Sequence, residues 1–185
     1  MSEIVPWKIL SHVIAYKGRF HVVEDLALTP HGEVRYSFIH SLAEVVATLA
    51  FTPDDKVVLI HEYWHPLKRV IYDLPSGSAK TGETLEDAAR RELEEETGWV
   101  AGPLEKLGYL VAYPNAINAG VHLFITHVAQ QVTRHPNRFE FGEPVELDWE
   151  TLVLQVLSGA YDDAALQLAV LLALKRMPLN GKHGG

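Results

Sequence analysis

The chain contains no cysteine, which excludes disulfide scaffolds, Cys-ligated zinc, iron–sulfur clusters and thiol nucleophiles. Basic runs are missing as well: 16 Lys and Arg stand against 24 Asp and Glu, a net charge of −8. That balance argues against a protein that coats nucleic acid or binds anionic membranes. It leaves an acidic small substrate open, because a bound divalent cation reverses the local sign. Long apolar stretches are also absent. Residues 1–10 hold none of the length a signal peptide needs, and the most apolar segment, 164–174, is too short to span a bilayer. A soluble, cytoplasmic protein is expected. With 48% hydrophobic and 22% charged residues over 185 positions, global disorder is ruled out, and one domain with a small appendage suits the length.

The order of elements follows from local pattern. Residues 7–16, 19–28 and 34–39 are rich in β-branched and aromatic types and are broken by Lys17-Gly18 and by Thr29-Pro30-His31-Gly32, so three strands are expected. Further strands are expected at 43–51, 56–61, 70–74, 104–113 and 121–128. Residues 84–97 switch to helical spacing and stop at Gly98, where a terminating glycine belongs. Residues 131–142 are polar and read as a loop. Helices are expected at 149–157 and 163–176, ended by Pro178 and a glycine-rich tail. No repeat is visible, and the mixed order of strands and helices implies an α+β or α/β/α domain, with α+β the class expected here.

The helix opening at Thr84 carries acids where they are unfavourable. Thr84 with Asp87 three residues on resembles a capping box, and Glu83, Glu86 and Asp87 suit the positive end. With Glu92 as the origin and about 100° per residue, Leu85, Ala88 and Ala89 all fall within about 60° of it, an inward face. Glu86, Arg90 and Glu94 fall on the other side, as a solvated face. Glu95 and Glu96 lie within about 60° of Glu92 on either side of it, so the three acids continue the apolar stripe. They also crowd the negative end, at a cost of about 0.3–1 kcal/mol each, and repel one another at i, i+3 and i, i+4. A Glu-rich helix is ordinarily a solvated face, and that suffices for Glu86 and Glu94. Three carboxylates converging at a helix end are instead what a hard divalent cation needs, and Mg²⁺ in particular joins carboxylates to substrate phosphate oxygens.

These residues complete a known pattern. Gly77, Glu83 and the run Arg91-Glu92-Leu93-Glu94-Glu95-Glu96-Thr97-Gly98-Trp99 match the Nudix box, G-x5-E-x7-R-E-U-x-E-E-x-G-U, at every fixed position. The chain thus resembles the Nudix hydrolases. That resemblance implies an α/β/α sandwich, divalent cations held by the box, and hydrolysis of a nucleoside diphosphate linked to another moiety. Beyond the box the chain is similar to the ADP-ribose pyrophosphatase subfamily: Glu62-Tyr63-Trp64-His65-Pro66, then Asp73-Leu74-Pro75-Ser76-Gly77, Pro114 downstream of Trp99, and Gly142-Glu143-Pro144-Val145-Glu146. It departs from that subfamily where Glu62-Tyr63-Trp64 replaces Gln-Tyr-Arg and where Asp73 replaces Glu.

The resemblance implies three segments: residues 1–42 as a strand region that pairs two chains into a homodimer, 43–178 as the hydrolase domain, and 179–185 as a flexible tail. It implies Mg²⁺, with Mn²⁺ as the alternative, held by Glu92, Glu95, Glu96 and the Ser76 carbonyl. Arg91 holds the carboxylate cluster and Glu83 holds Arg91. The general base is Glu143 or Glu92, with Glu146 as a fallback. Asp73, Phe20, Tyr36 and Pro114 are candidate substrate contacts. ADP-ribose, cleaved to AMP and ribose 5-phosphate, is the first substrate implied; GDP-mannose, a UDP-sugar or NADH are alternatives. A different class, a nucleotide-binding module without catalysis, also keeps such folds. Phe20 and Tyr36, like Trp7 and Phe38, have an ordinary explanation as packed strand aromatics.

One motif is a decoy. His61-Glu62-Tyr63-Trp64-His65 matches H-E-x-x-H, which binds zinc when a helix sets both histidines on one face. Here it follows a strand-like run and precedes Pro66. In a strand those histidines stand about 13 Å apart, too far to share one ion.

Overall fold

The computed structural model describes residues 5–134 and 142–177. Along them run β1 (Lys8–Lys17), β2 (His21–Thr29), β3 (Gly32–His40), β4 (Val45–Phe51), β5 (Lys56–Trp64), β6 (Arg69–Asp73), β7 (Ser76–Ser78), α1 (Leu85–Thr97), β8 (Trp99–Ala101), β9 (Glu105–Leu110), β10 (Val121–Gln131), β11 (Glu143–Asp148), α2 (Trp149–Leu157) and α3 (Ala164–Arg176). The described residues form two units, one of residues 5–43 with 111–120, the other of 44–110 with 121–134 and 142–177. The fold is α+β.

In the first unit β1, β2 and β3 make an antiparallel meander with β2 in the middle. The central strand buries Val23 and Ala27, whereas all ten residues of β1 are exposed. Residues 111–120 lie along β3: the Ile39 amide donates to the Ala116 carbonyl at 2.8 Å, and the Asn118 amide to the Ile39 carbonyl at 3.2 Å. The Tyr36 hydroxyl donates to the Asn115 carbonyl at 2.6 Å, and Trp7 meets the Tyr36 ring edge-on at 5.7 Å.

The second unit is an eight-stranded mixed sheet. Its path runs β11-β5-β4-β10-β8, with β6 on β5, β7 on β4 and β9 on β10; β4 and β10 are parallel. Side chains of a strand alternate between faces, and here each face meets a helix layer. Ala47, Leu49 and Phe51 of β4, Leu59 of β5 and Leu123 of β10 join Leu152, Leu166 and Val170 of α2 and α3. Their neighbours Val46 of β4 and Phe124 of β10 pack instead on Ala88 and Ala89 of α1, and Ala50 and Val58 on Leu93. The sheet is therefore buried on both sides, and the inward stripe read from α1 is the one that docks.

Three strands escape the sequence pattern. β7 and β8 have three residues each, too few to display a period. β11 carries Glu143 and Pro144, for which no strand was expected; it is paired with β5 along its length, Glu143 facing His61 and Asp148 facing Lys56. Pro144 is tolerated because β11 is an edge strand, which needs a ladder of hydrogen bonds on one side only. Of the expected loop at 131–142, Gln131 belongs to β10, and residues 135–141 lie outside the described residues, as do Pro178 and the tail at 179–185. β5 extends through Trp64, so the H-E-x-x-H residues lie on a strand and its turn, not on a helix.

α1 begins and ends as its sequence demands. The Thr84 hydroxyl oxygen accepts the Asp87 amide at 3.1 Å. Gly98 takes up a left-handed φ of 75° and returns its amide to the Glu94 carbonyl at 2.9 Å. Because that first-turn amide has no partner within the helix itself, Thr84→Ala should cost about 1 kcal/mol. A lowered denaturant midpoint at unchanged slope is the expected reading, with Thr84→Ser restoring the midpoint; an alanine variant as stable as the parent would deny the cap any part in holding α1.

Candidate active site

The acidic end of α1 divides as its geometry predicts. Glu92 and Glu96 are buried, Glu95 is partly buried, and Glu86 and Glu94 are exposed. The Ser76 amide of β7 donates to Glu96 Oε2 at 2.9 Å. Buried carboxylates are costly unless a cation or donors surround them, and α1 supplies the cation itself. Arg91 Nη1 stands 2.7 Å from Glu92 Oε1 and 3.2 Å from Glu95 Oε2. One positive nitrogen thus bridges two carboxylates of the stripe.

The other side of the guanidinium is spoken for. Arg91 Nε donates to Glu83 Oε1 at 2.8 Å and Nη2 to Glu83 Oε2 at 2.9 Å, a two-pronged charge-assisted pair. Nη2 also reaches the Ser78 carbonyl at 3.1 Å. The guanidinium beside it, with the Lys80 amide at 2.8 Å, holds the Glu83 carboxyl down to about 2. Arg91 is pushed above its ordinary value chiefly by Glu83, then by Glu92. Both groups stay charged across any working pH, so the brace does not titrate.

Gly77 completes the cradle. It sits opposite Val46 in the β4–β7 pairing, with its Cα against the Glu92 carboxyl, where any Cβ would collide. Only a glycine lets the strand approach the carboxylate so closely. Among the described residues, no three acidic or imidazole side chains grip a common point as they stand, because Arg91 draws Glu92 and Glu95 to itself. The donor set nonetheless fits a hard divalent cation: all-oxygen and anionic, with Glu92 and Glu95 already meeting on one positive atom.

Comparison with known proteins agrees with that chemistry. The NUDIX domain model matches residues 41–161. The chain belongs to the Nudix family. It is 33% identical over 150 residues to an ADP-ribose pyrophosphatase of Bacillus subtilis, covering 80% of each chain. It is also 33% identical over 153 residues to a methanol dehydrogenase activator of Bacillus methanolicus, again covering 80% of each. A solved structure described as an ADP compounds hydrolase superposes with a TM-score of 0.84 at 21% identity, over 96% of this chain and 99% of the other; at that identity it speaks for the fold. The enzyme class follows from the family and from the pyrophosphatase relative: this is a Nudix pyrophosphohydrolase.

Outside the box the expected residues are dispersed. Glu143 is the first residue of β11, with an exposed side chain 3.3 Å from Arg134 Nη1, so it lies on a strand end and not in a loop. Glu146 lies on the same strand, 3.9 Å from Lys56 Nζ. His61 stacks on Tyr72 at 4.5 Å. Phe20, Tyr36 and Pro114 belong to the first unit: Phe20 is exposed under the Arg19 guanidinium at 5.8 Å, Tyr36 is held by Asn115 and Trp7, and Pro114 is exposed. Sequence reasoning passed over Arg134, one of two arginines in the polar segment 131–142 with no spacing to set it apart.

Asp73, at the end of β6, is buried. Its Oδ1 accepts the Leu74 amide at 2.7 Å, and its carboxyl is hydrogen-bonded to Asp163, the N-cap of α3. Burial first, and the Asp163 charge second, push Asp73 up to about 8, so at neutral pH it is the proton donor of the pair. A folded-state value raised above the unfolded one means that stability falls as pH rises from about 4 to about 8. Asparagine keeps both the acceptor and a donor without the proton. Asp73→Asn should therefore raise the melting temperature at pH 8.5 by more than at pH 5, and a difference between variant and parent that does not grow with pH would refute the shared proton.

Proposed function

We propose that this Nudix enzyme is a soluble, cytoplasmic, Mg²⁺-dependent hydrolase of the pyrophosphate bond in a nucleoside diphosphate derivative, with ADP-ribose, yielding AMP and ribose 5-phosphate, the first substrate to test. The observation that carries the reading is the joint placement of Glu92, Glu95 and Glu96 on the face of α1 that meets Gly77, braced by Arg91 and Glu83. Glu92, Glu95, Glu96 and the Ser76 carbonyl would hold Mg²⁺, or Mn²⁺ in its place. When bound, the metal neutralises the diphosphate and lowers the pKa of the attacking water. Arg91, pinned to Glu83 through Nε and Nη2, would keep the three carboxylates aimed while its Nη1 gives way. Glu143, exposed and outside the carboxylate stripe, would accept the proton of the attacking water; a Glu92 engaged by metal is the poorer base. Phe20, Tyr36 and Pro114 are the proposed substrate contacts, and Asp73 fixes the start of the segment that leads into Gly77.

The pyrophosphatase relative supports ADP-ribose. Because a relative of equal identity carries a different name, the substrate is best decided by turnover: ADP-ribose, NADH, GDP-mannose, UDP-sugars and dinucleoside polyphosphates, each with Mg²⁺ and with Mn²⁺. No turnover of any of them would favour a nucleotide-binding module. Glu95→Gln and Glu96→Gln should each lower kcat/KM by at least about two orders of magnitude through lost metal affinity and charge stabilisation. The same variants should fold as well as the parent or better, since carboxylate repulsion is relieved. Glu94→Gln, on the solvated face, should leave activity unchanged; if it falls as far as Glu96→Gln, the assignment of faces is wrong.

A homodimer is proposed on the bare face of the first unit. Ile9 and Ile14 of β1 stand opposite Ala27 and Val23 of β2 and so share one face of the sheet; both are exposed in a single chain, and a three-stranded sheet with such a face is marginal alone and prone to find a partner. A second copy of the same sheet would cover it. Sedimentation should give twice the mass of one chain, and a fully active monomer would end the proposal.

A further inference from the structure

Arg134 joins two parts of the site that the sequence separates. Its backbone lies against the C-terminal end of the carboxylate helix: the Val132 amide donates to the Gly98 carbonyl at 2.7 Å, and a Cβ on Gly98 would run into the Val132 carbonyl and touch the Arg134 amide. Its guanidinium reaches the start of β11. Nη2 donates to the Gly142 carbonyl, and Nη1 stands 3.3 Å from Glu143 Oε2. Gly142 is buried against Ile60 and Glu62, where any Cβ would clash. β11 itself packs beside α1. The side chain of Arg134 is largely buried while that of Glu143 is exposed. Its Nε finds no acceptor among the described residues, so among them the cation's polar contacts are these two alone.

We propose that Arg134 is a positioning residue: it sets Glu143 at a fixed place beside the C-terminal turn of α1 and acts on the reaction only through Glu143. The inference rests on the reading of Glu143 as the general base. An exposed ion pair is weakly held by its own attraction, so the placement comes from the carbonyl of Gly142, which Arg134 grips one residue away on a strand already paired to β5. The guanidinium can engage the carbonyl and the carboxylate together because its donors form a rigid fork. A lysine offers one point charge and can satisfy only one of them well.

The test is a double-mutant cycle on the full-length enzyme, with its best substrate at saturating Mg²⁺. Glu143→Gln should lower kcat by about a hundredfold with KM and Mg²⁺ activation unchanged, as for a group acting in the transition state. Arg134→Ala should lower kcat by about tenfold or more with KM also unchanged, since a base displaced by an ångström loses rate and not binding. Arg134→Lys should recover part of that loss. In the Glu143→Gln background, Arg134→Ala should do nothing further, within about twofold. Near-parental kcat for Glu143→Gln would remove the base and, with it, the reading on which the inference stands. A slow Glu143→Gln beside a near-parental Arg134→Ala would overturn the inference alone. So would a raised KM, or an Arg134→Ala loss that persists in the Glu143→Gln background, either of which would put Arg134 on the substrate. Should Arg134→Ala melt below the assay temperature, Arg134→Lys and Arg134→Gln carry the same cycle.

Discussion

The site depends on the Arg91 guanidinium. Four carboxylates, Glu83, Glu92, Glu95 and Glu96, crowd the segment between β7 and the end of α1, and such a cluster repels itself in the absence of a cation. Arg91 answers this with its two edges. One edge is fixed on Glu83 by two short hydrogen bonds, the other on Glu92 and Glu95. A planar, permanently charged fork is required, because a lysine cannot hold Glu83 with two parallel bonds and also span two carboxylates on a helix. The loop before α1 and the acidic turn at its end are thereby tied across two turns of helix.

The sandwich exists, from the site's standpoint, to hold α1 still against β7. Ala88, Ala89 and Leu93 press α1 onto Val46, Ala50, Val58 and Phe124, and the small alanines let the helix approach the sheet. From there the spacing of the acidic residues is automatic: one turn beyond the apolar contacts, the same face meets the edge of the sheet at Ser76 and Gly77. The absent side chain of Gly77 and the donated amide of Ser76 are the sheet's contribution. On the opposite face α2 and α3 add no chemistry to this end, but Asp163 at the head of α3 accepts the hydrogen bond of Asp73 and so anchors the chain just ahead of Ser76.

Much of this was legible in the sequence, and the limits are physical. The box was readable because helical period, capping and charge all agreed: Thr84, Leu85, Ala88, Ala89 and Gly98 told where α1 lies, and the wheel told which acids face in. The central strands β4, β5 and β10 were readable because sheets buried on both faces are apolar without interruption. β7 and β8 were not, since three residues carry no period, and β11 was hidden by a proline that only an edge strand accepts. Arg134 was hidden for a different cause. Its partners, Gly142 and Glu143, are brought to it by strand pairing with β5, a non-local fact that no spacing encodes. Asp73 was legible as a position but not as a buried acid, because its neighbour Asp163 lies far along the chain, past every strand of the sheet.

The arrangement also explains how an acidic protein can take an acidic substrate. A net charge of −8 opposes a diphosphate at long range, and the local carboxylates oppose it more strongly. The same carboxylates attract a divalent cation, whose charge exceeds that of the one Arg91 nitrogen now between Glu92 and Glu95. A metal taking the place of that nitrogen would leave the brace in being, because Glu83 holds Nε and Nη2. The cluster is thus held together by an internal cation, with the Glu83 side of the brace independent of the position an external one would take. That follows from where the second edge of one arginine is fixed, and it would make Glu83, which precedes α1 and is held by Arg91, as much a part of a metal's reception as the residues that would touch it.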